Sequence, residues 1–310
     1  MIYYFAADII TFMVQLVYKK NREKFRLYKS GYILAILAFF CLYVPVRIVY
    51  DYYTVSVRTI TYEKRSVPGV LENFRIVFVS DLQADRYTDR ERLQHFVNKI
   101  NSANPDLVLF AGDFITSTPA YIQTAAEYAG RINSPYGIYS CIGDHDNWAY
   151  RDDTKRSIRE ISDALSKRQI KMINNDNEII MIDSARICIT FVTNTYEQTI
   201  EKSTLGKLTR INDDCDLKIF LTHQPRQFLL DEAIKKNYDL FLAGHTHGGQ
   251  LTLLVPFLEL SPTKIETRYQ RGDFRFGNLL MVVTRGLGMS LAPIRYNSTP
   301  EVSVIELKSG

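Results

Sequence analysis

From residue 73 onward, short and almost wholly apolar runs alternate with longer stretches whose apolar residues recur every three or four positions. NFRIVFVSD, DLVLFAGD and YGIYSCIGD are of the first kind and predict buried strands. ERLQHFVNKI, AYIQTAAEYAGRI and TKRSIREISDALSKR are of the second and predict amphipathic helices. RICITFVT, DLKIFLTH, YDLFLAGH, LLMVVTR and VSVIEL continue the strand pattern toward the C-terminus. Strands apolar on both faces, interleaved with helices, predict a layered α/β domain over residues 67–310.

The first 50 residues follow another pattern and predict a membrane anchor. GYILAILAFFCLYVPVRIVY, residues 31–50, runs sixteen residues without a formal charge before Arg47, whose long side chain can reach the interface. Residues 1–18 are a second candidate span, interrupted by Asp8 and Gln15. Between them, residues 19–30 carry six basic side chains against Glu23 alone, a net charge of +5, which reads either as a headgroup or nucleic-acid patch or as a basic loop kept in the cytoplasm. The loop reading puts everything beyond residue 51 on the far side of the membrane; the alternative is an interfacial anchor with a cytoplasmic domain. No small-residue cleavage site follows Tyr50, so the segment is expected to stay as an anchor. Residues 51–66 read as a polar connector.

A net charge of only +4 over 310 residues argues against a nucleic-acid partner. Cys41, Cys141, Cys188 and Cys215 show no CxxC spacing and predict buried free thiols rather than disulfides or a zinc cluster.

In open α/β sheets, ligands bind beyond the carboxyl ends of the strands. Those ends deliver Asp81, Asp113, Asp144 with His145 and Asp146, His223, and His245 with His247. Four of the five histidines therefore follow a predicted strand, and only His95 falls in a helix. Any one Asp alone is as well explained as a helix cap or turn former, and any one His as a hydrogen-bonded core residue. The ordered set points instead to bivalent-metal hydrolysis. Mixed carboxylate and imidazole donors suit Mn, Fe, Zn or Ni, and a shared carboxylate can bridge two ions about 3.5–4 Å apart.

The order SDLQ, GD, GDHD, TH and GHTH resembles the calcineurin-like metallophosphoesterases, over roughly residues 70–308. GHTHGGQ, ETRYQRG, TRGLGMSLAPIR and TPEVSVIEL look like the membrane-associated branch of that family, which includes enzymes that cleave the pyrophosphate of UDP-diacylglucosamine. The resemblance implies an α/β/β/α sandwich and a dinuclear site that hydrolyses phosphodiester or pyrophosphate bonds through a metal-activated water. It implies that Asp81 and His247 hold the first ion, that Asp113 bridges, and that Asp144, His223 and His245 hold the second. His145 would stabilise the transition state or protonate the leaving oxygen, with Asp146 orienting it. A membrane lipid or lipid-linked phosphate is the expected substrate, with Arg268, Arg285 and Arg295 as candidate phosphate contacts. VPFLEL, residues 255–260, is expected to be a core segment rather than an apolar lip beside the site.

Two positions depart from the family pattern. Gln83 stands where an imidazole is usual and offers a neutral amide oxygen, so the first ion is expected to be labile and hard, such as Mn or Mg. Asp144 stands where Asn is usual, which leaves two divalent ions and three carboxylates near +1 rather than +2 and should tighten the second ion. The rival expectation is a catalytically weakened scaffold on the same fold.

Overall fold

Alternation along each strand decides which layer a side chain enters. The computed structural model describes residues 22–65, 67–210, 214–255, 258–290 and 292–310. One six-stranded sheet runs β1 (Ser56–Lys64), β14 (Glu301–Ser309), β2 (Arg75–Val79), β3 (Leu107–Phe110), β4 (Ile138–Ser140), β5 (Ile170–Met172), all parallel except β14 against β2. The other runs β12 (Gly272–Phe276), β13 (Leu279–Val283), β9 (Leu240–Ala243), β8 (Leu217–Thr222), β7 (Ala185–Val192), β6 (Asp176–Ile182), with antiparallel pairs only at its two edges.

Ile76 and Phe78 of β2 enter the core between the sheets, where they join Ile187, Ile219 and Leu242. Val77 and Val79, one residue out of phase, pack outward against α2 (Arg90–Ser102), α3 (Ile122–Ala129) and α4 (Thr154–Ser166) through Phe96, Ala125 and Ile161. Phe220 and Phe241 likewise face α5 (Lys202–Leu208) and α6 (Gln227–Lys235) through Leu205 and Leu229. The layers are helix, sheet, sheet, helix, as expected of an α/β/β/α sandwich. Asp89 and Asp153 start α2 and α4 by accepting hydrogen bonds from the amides of Arg92 and Arg156.

Residues read as a polar connector contain β1, which pairs in parallel with β14. Ile60 and Tyr62 are buried while Thr59, Thr61 and Glu63 face solvent, so the polar face of an edge strand hid the alternation. The expectation of free cysteines fails for one pair. Cys188 and Cys215 form a disulfide with a Cα–Cα distance of 5.9 Å, because β7 and β8 lie side by side. Cys41 is free but exposed, and Cys141 is free and buried as expected.

At the N-terminus, α1 (Arg22–Tyr53) is one continuous helix, so residues 22–30 of the basic segment are helical rather than a loop. Residues 1–18, the second candidate span, and 19–21 lie outside the described residues. Within α1, Tyr28–Tyr53 is long and apolar enough to cross a membrane, with a mean hydropathy of 2.2 over an 18-residue window, none of which is buried in the protein. Its last turns dock on the domain. Arg47 pairs with the buried Asp51 at 2.7 Å and donates to Thr299 Oγ1 at 2.9 Å, and Arg92 caps the Tyr52 carbonyl while stacking on its ring.

The described part of VPFLEL does not join the core: Val255 ends β10 (Leu253–Val255) and Leu258–Leu260 forms β11, an antiparallel pair outside both main sheets in which Leu260 is exposed, as are the neighbouring Leu253 and Leu254. Residues 256–257 lie outside the described residues.

Candidate metal centre

The carboxyl ends of β2, β3, β4, β8 and β9 converge between the two sheets. Each chain must turn sharply there to aim a side chain inward, and Asp81, Gln83, Asp113, His245 and His247 all have left-handed backbone, with φ of 57°, 52°, 62°, 70° and 48°. Such conformations are uncommon for residues with a Cβ and cluster at functional sites. Close approach of backbones completes the packing: a Cβ on Gly143 would lie 2.1 Å from Asp113 Oδ1, and one on Gly244 1.9 Å from Ser80 Oγ.

Two clusters result, Asp144 with His223 and His245, and Asp81 with Asp113 and His247; within each, the donor atoms lie within 4.8 Å of one another. His223 Nε2 lies 3.4 Å from Asp113 Oδ2 and 3.2 Å from Asp144 Oδ2, which ties the clusters together. His245 Nδ1 lies 2.8 Å from Asp144 Oδ2, and His247 Nε2 3.5 Å from Asp81 Oδ1. Burial alone would lower the His223 pKa, but Asp113 and Asp144 outweigh it and hold it well above the usual value. Burial, with Arg295 behind the ring, holds His247 well below it and therefore neutral.

These residues fit divalent cations. His223 Nδ1 lies 2.5 Å from the Ala111 carbonyl, which can only accept, so Nε2 is the nitrogen left facing the carboxylates. That Nε2, Asp81 Oδ1 and Gln83 Oε1 are buried with no hydrogen-bond partner. Each such buried atom costs about 1–3 kcal/mol, which a cation bound at each cluster would offset.

The neighbouring side chains divide differently from the sequence expectation. Gln83 donates from Nε2 to Asp113 Oδ2 at 2.8 Å. His145 lines a cavity of about 220 Å³, its Nδ1 2.5 Å from the Thr116 carbonyl and its Nε2 3.0 Å from Ser290 Oγ. Asp146 does not orient that ring. Its carboxylate accepts from the amides of Asp113, Phe114 and Gly143, each at 2.9 Å, and fixes the turn that carries Asp113. Burial and the nearby Asp113 push its pKa up to about 6 against those amides.

Arg295 is not an exposed phosphate contact either. It is fully buried, and its guanidinium donates to the carbonyls of Gly288, His247, Arg285 and Ser298; burial lowers its pKa to about 9. Arg285 lies 3.7 Å from the buried Glu301, and Arg268 donates to Gln227; neither lines the cavity. Support for His247 extends to the anchor: Ser298 Oγ donates to the His247 carbonyl at 2.6 Å, and the Ser298 amide donates to Asp51 at 3.4 Å.

Several site residues escaped the sequence reading. Gln224 donates to both oxygens of Asp144 at 2.9 Å, and the Tyr196 amide donates to Asp144 Oδ1 at 2.7 Å. Glu266 lies 3.2 Å from His245 Nε2 and accepts from the Tyr196 hydroxyl at 2.6 Å; the His245 contact holds its pKa down to about 2. Trp148 and Tyr196 form an aromatic wall of the cavity. Position offered a signal for Gln224, a polar residue directly after a strand-end histidine, and Glu266 opens the quoted ETRYQRG segment.

Residues 74–249 match the family model described as calcineurin-like phosphoesterase. The chain is 29% identical over 254 residues to the uncharacterized metallophosphoesterase YkuE of Bacillus subtilis (strain 168), covering 80% of this chain and 84% of that protein. It is 24% identical over 237 residues to phosphodiesterase YaeI of Escherichia coli (strain K12), covering 76% and 82%. A third relative, the transmembrane protein with metallophosphoesterase domain of Danio rerio, is 27% identical over 252 residues, which cover 78% of this chain and 55% of that protein, so the match spans just over half of its length. Strand-end Asp/His clusters and a matched segment running from β2 through the GHTHGG turn agree: the chain belongs to the calcineurin-like phosphoesterase family, and its N-terminal helix is long and apolar enough to cross a membrane.

Proposed function

We propose that this protein hydrolyses a phosphodiester or pyrophosphate bond of a lipid-linked phosphate on the extracytoplasmic side of its membrane. The observation that carries the hydrolytic reading is the pair of Asp/His clusters, with buried unpartnered donor atoms, beside His145 in the lining of one cavity. Asp81, Asp113 and His247 would hold one divalent ion and Asp144, His223 and His245 the other, drawn from Mn, Fe, Zn and Ni. Bound there, such ions supply Lewis acidity toward phosphoryl oxygens and make water acidic enough to attack at neutral pH.

The chain's own groups supply orientation and a proton. The Thr116 carbonyl accepts from His145 Nδ1–H, leaving Nε2 beside Ser290 Oγ, where it can hold the proton that a departing oxygen needs. Gln224 and the Tyr196 amide keep the Asp144 carboxylate aimed at His223 and His245. Gln83 restrains Asp113 through its amide nitrogen, and its only remaining donor is the neutral Oε1. One tight ion and one labile ion are therefore the working state.

Extracytoplasmic placement draws support from two features. The basic segment before the span favours the cytoplasm. The Cys188–Cys215 disulfide fits an oxidising compartment.

The test is turnover of bis(p-nitrophenyl) phosphate and p-nitrophenyl phosphate by the detergent-solubilised full chain, stripped of metal and titrated separately with Mn, Mg, Zn, Co and Ni. Metal-dependent diester hydrolysis that His145→Ala lowers by about a hundredfold or more is the expected result. No turnover with any metal would favour the scaffold reading, which Gln83 in place of an imidazole supports.

A further inference from the structure

The apolar hairpin β10–β11 sits where the anchor enters the domain. Tyr43 of α1 donates to Asn297 Oδ1 at 3.3 Å and meets the Tyr296 ring edge-on at 6.4 Å. Asn297 Nδ2 in turn donates to the Thr252 carbonyl at 3.0 Å, and Tyr296 exchanges backbone hydrogen bonds with Gln250 and Thr252 at 2.9 Å. The root of the hairpin is thus fixed to the level of Tyr43 along the helix axis.

That level lies at or below the membrane surface. The 26 residues of Tyr28–Tyr53 extend about 39 Å at 1.5 Å per residue, whereas the hydrocarbon core is about 30 Å thick. A core that begins at Tyr28 ends near Arg47, where the Arg47–Asp51 pair marks the return to polar surroundings. Tyr43 is one helical turn, about 6 Å, below that point.

From this root the hairpin presents Leu253 and Leu254, 48% and 50% exposed, with Leu260 at 42%. The turn that follows β11 adds Ile265, 93% exposed, and its Pro262 and Thr263 line the cavity above the metal centre together with Leu251. Apolar side chains this exposed, continuous with a cavity wall and level with a membrane helix, match a bilayer rather than water.

We propose that Leu253, Leu254, Leu260 and Ile265 form a lip that lies in the bilayer entered by α1, so that the cavity opens at the membrane surface and takes a phosphodiester one of whose ester arms is a membrane-resident hydrocarbon. The proposal rests on the hydrolytic reading above and specifies how the substrate reaches the site. The phosphate rises over the lip to the metal centre while the hydrocarbon arm stays in the lipid phase along Leu251 and the hairpin.

The test uses the full chain reconstituted in phosphatidylcholine vesicles, with two substrates that release the same p-nitrophenolate. Hexadecyl p-nitrophenyl phosphate resides in the bilayer; bis(p-nitrophenyl) phosphate is soluble. The double variant Leu254→Asp, Ile265→Asp is expected to lose about tenfold or more in turnover of the hexadecyl ester, since withdrawing even one such side chain from an apolar phase is equivalent to about a factor of ten. Its rate on the soluble diester should stay within about twofold of the parent. Equal loss on both substrates, or loss on neither, overturns the lip. Absence of soluble-diester turnover in the parent would instead refute the hydrolytic reading.

A second measurement is independent of turnover. An environment-sensitive fluorophore on Leu254→Cys, in a Cys41→Ser background, should be quenched by nitroxide-labelled lipids, unlike the same fluorophore on Lys167→Cys after α4. Equal, weak quenching at both positions would also overturn the proposal.

Discussion

Arg295→Met separates two roles that an arginine near a phosphoesterase site can have. Arg295 is wholly buried and donates to four backbone carbonyls, those of Gly288, His247, Arg285 and Ser298. Methionine of similar length fills the space and leaves those acceptors without their donor. Hydrogen bonds from a charged donor are worth about 1.5–3 kcal/mol each, but the guanidinium is buried without a carboxylate in direct contact, and its own desolvation offsets part of that sum. A net loss of about 3–5 kcal/mol is expected, by analogy with removal of one partner from a buried charged arrangement. For a domain of this size, that lowers the melting temperature by about 6–20 °C. Because one of the four carbonyls belongs to His247 itself, metal content should fall along with stability. Thermal unfolding by circular dichroism, metal content by mass spectrometry and steady-state kinetics on bis(p-nitrophenyl) phosphate would be measured on the same preparation. An unchanged melting temperature and metal content with a raised KM would refute the reasoning, since that is the signature of a substrate contact.

His145→Ala should lower kcat by about a hundred- to ten-thousandfold while metal content is unchanged, because only its backbone amide touches Asp113; a parallel loss of metal would make the residue structural. Gln83→His should raise occupancy of the Asp81, Asp113 and His247 cluster at limiting metal, and unchanged affinity at that cluster would contradict the labile-ion assignment. His223 and His245 hold protons above the usual histidine range, His223 because its carboxylate neighbours outweigh burial and His245 because Asp144 and Glu266 do. Protons therefore compete with metal through neutral pH, and affinity should fall as pH falls, by about tenfold per pH unit for each histidine displaced; calorimetry at pH 8 and pH 6 with no difference would refute this. Replacing both Cys188 and Cys215 by Ser opens a link across a sequence separation of 27. The expected loss is about 3–4 kcal/mol in denaturant unfolding, and an unchanged midpoint would show that the link does not constrain the unfolded chain.

The strands that carry the site were legible because burial on both faces leaves a continuous apolar run, and a polar residue directly after such a run stands out. Asp81, Asp113, Asp144, His223, His245 and His247 were all found by that contrast. Strands with one wet face were not: β1 and β6 mix Thr, Glu and Asn with their buried residues, so neither period is clean. The Cys188–Cys215 link depends on two parallel strands being neighbours, a fact of topology that spacing does not carry. Asp146 and Arg295 have the residue types of catalytic groups, yet their partners are backbone amides and carbonyls, which every sequence contains. Their positioning roles become visible only when burial and hydrogen bonds are counted.

The junction between α1 and the domain bears on how the protein can be handled. Asp51 belongs to the anchor helix, and two hydrogen bonds, through Ser298, connect its carboxylate to the His247 backbone. The helix is therefore a structural part of the centre rather than a detachable tether. A soluble fragment trimmed at β1 would keep every ligand residue and lose one of the supports that position them. Low activity in such a fragment would report on the cut, and the chain with its anchor is the unit whose chemistry should be measured.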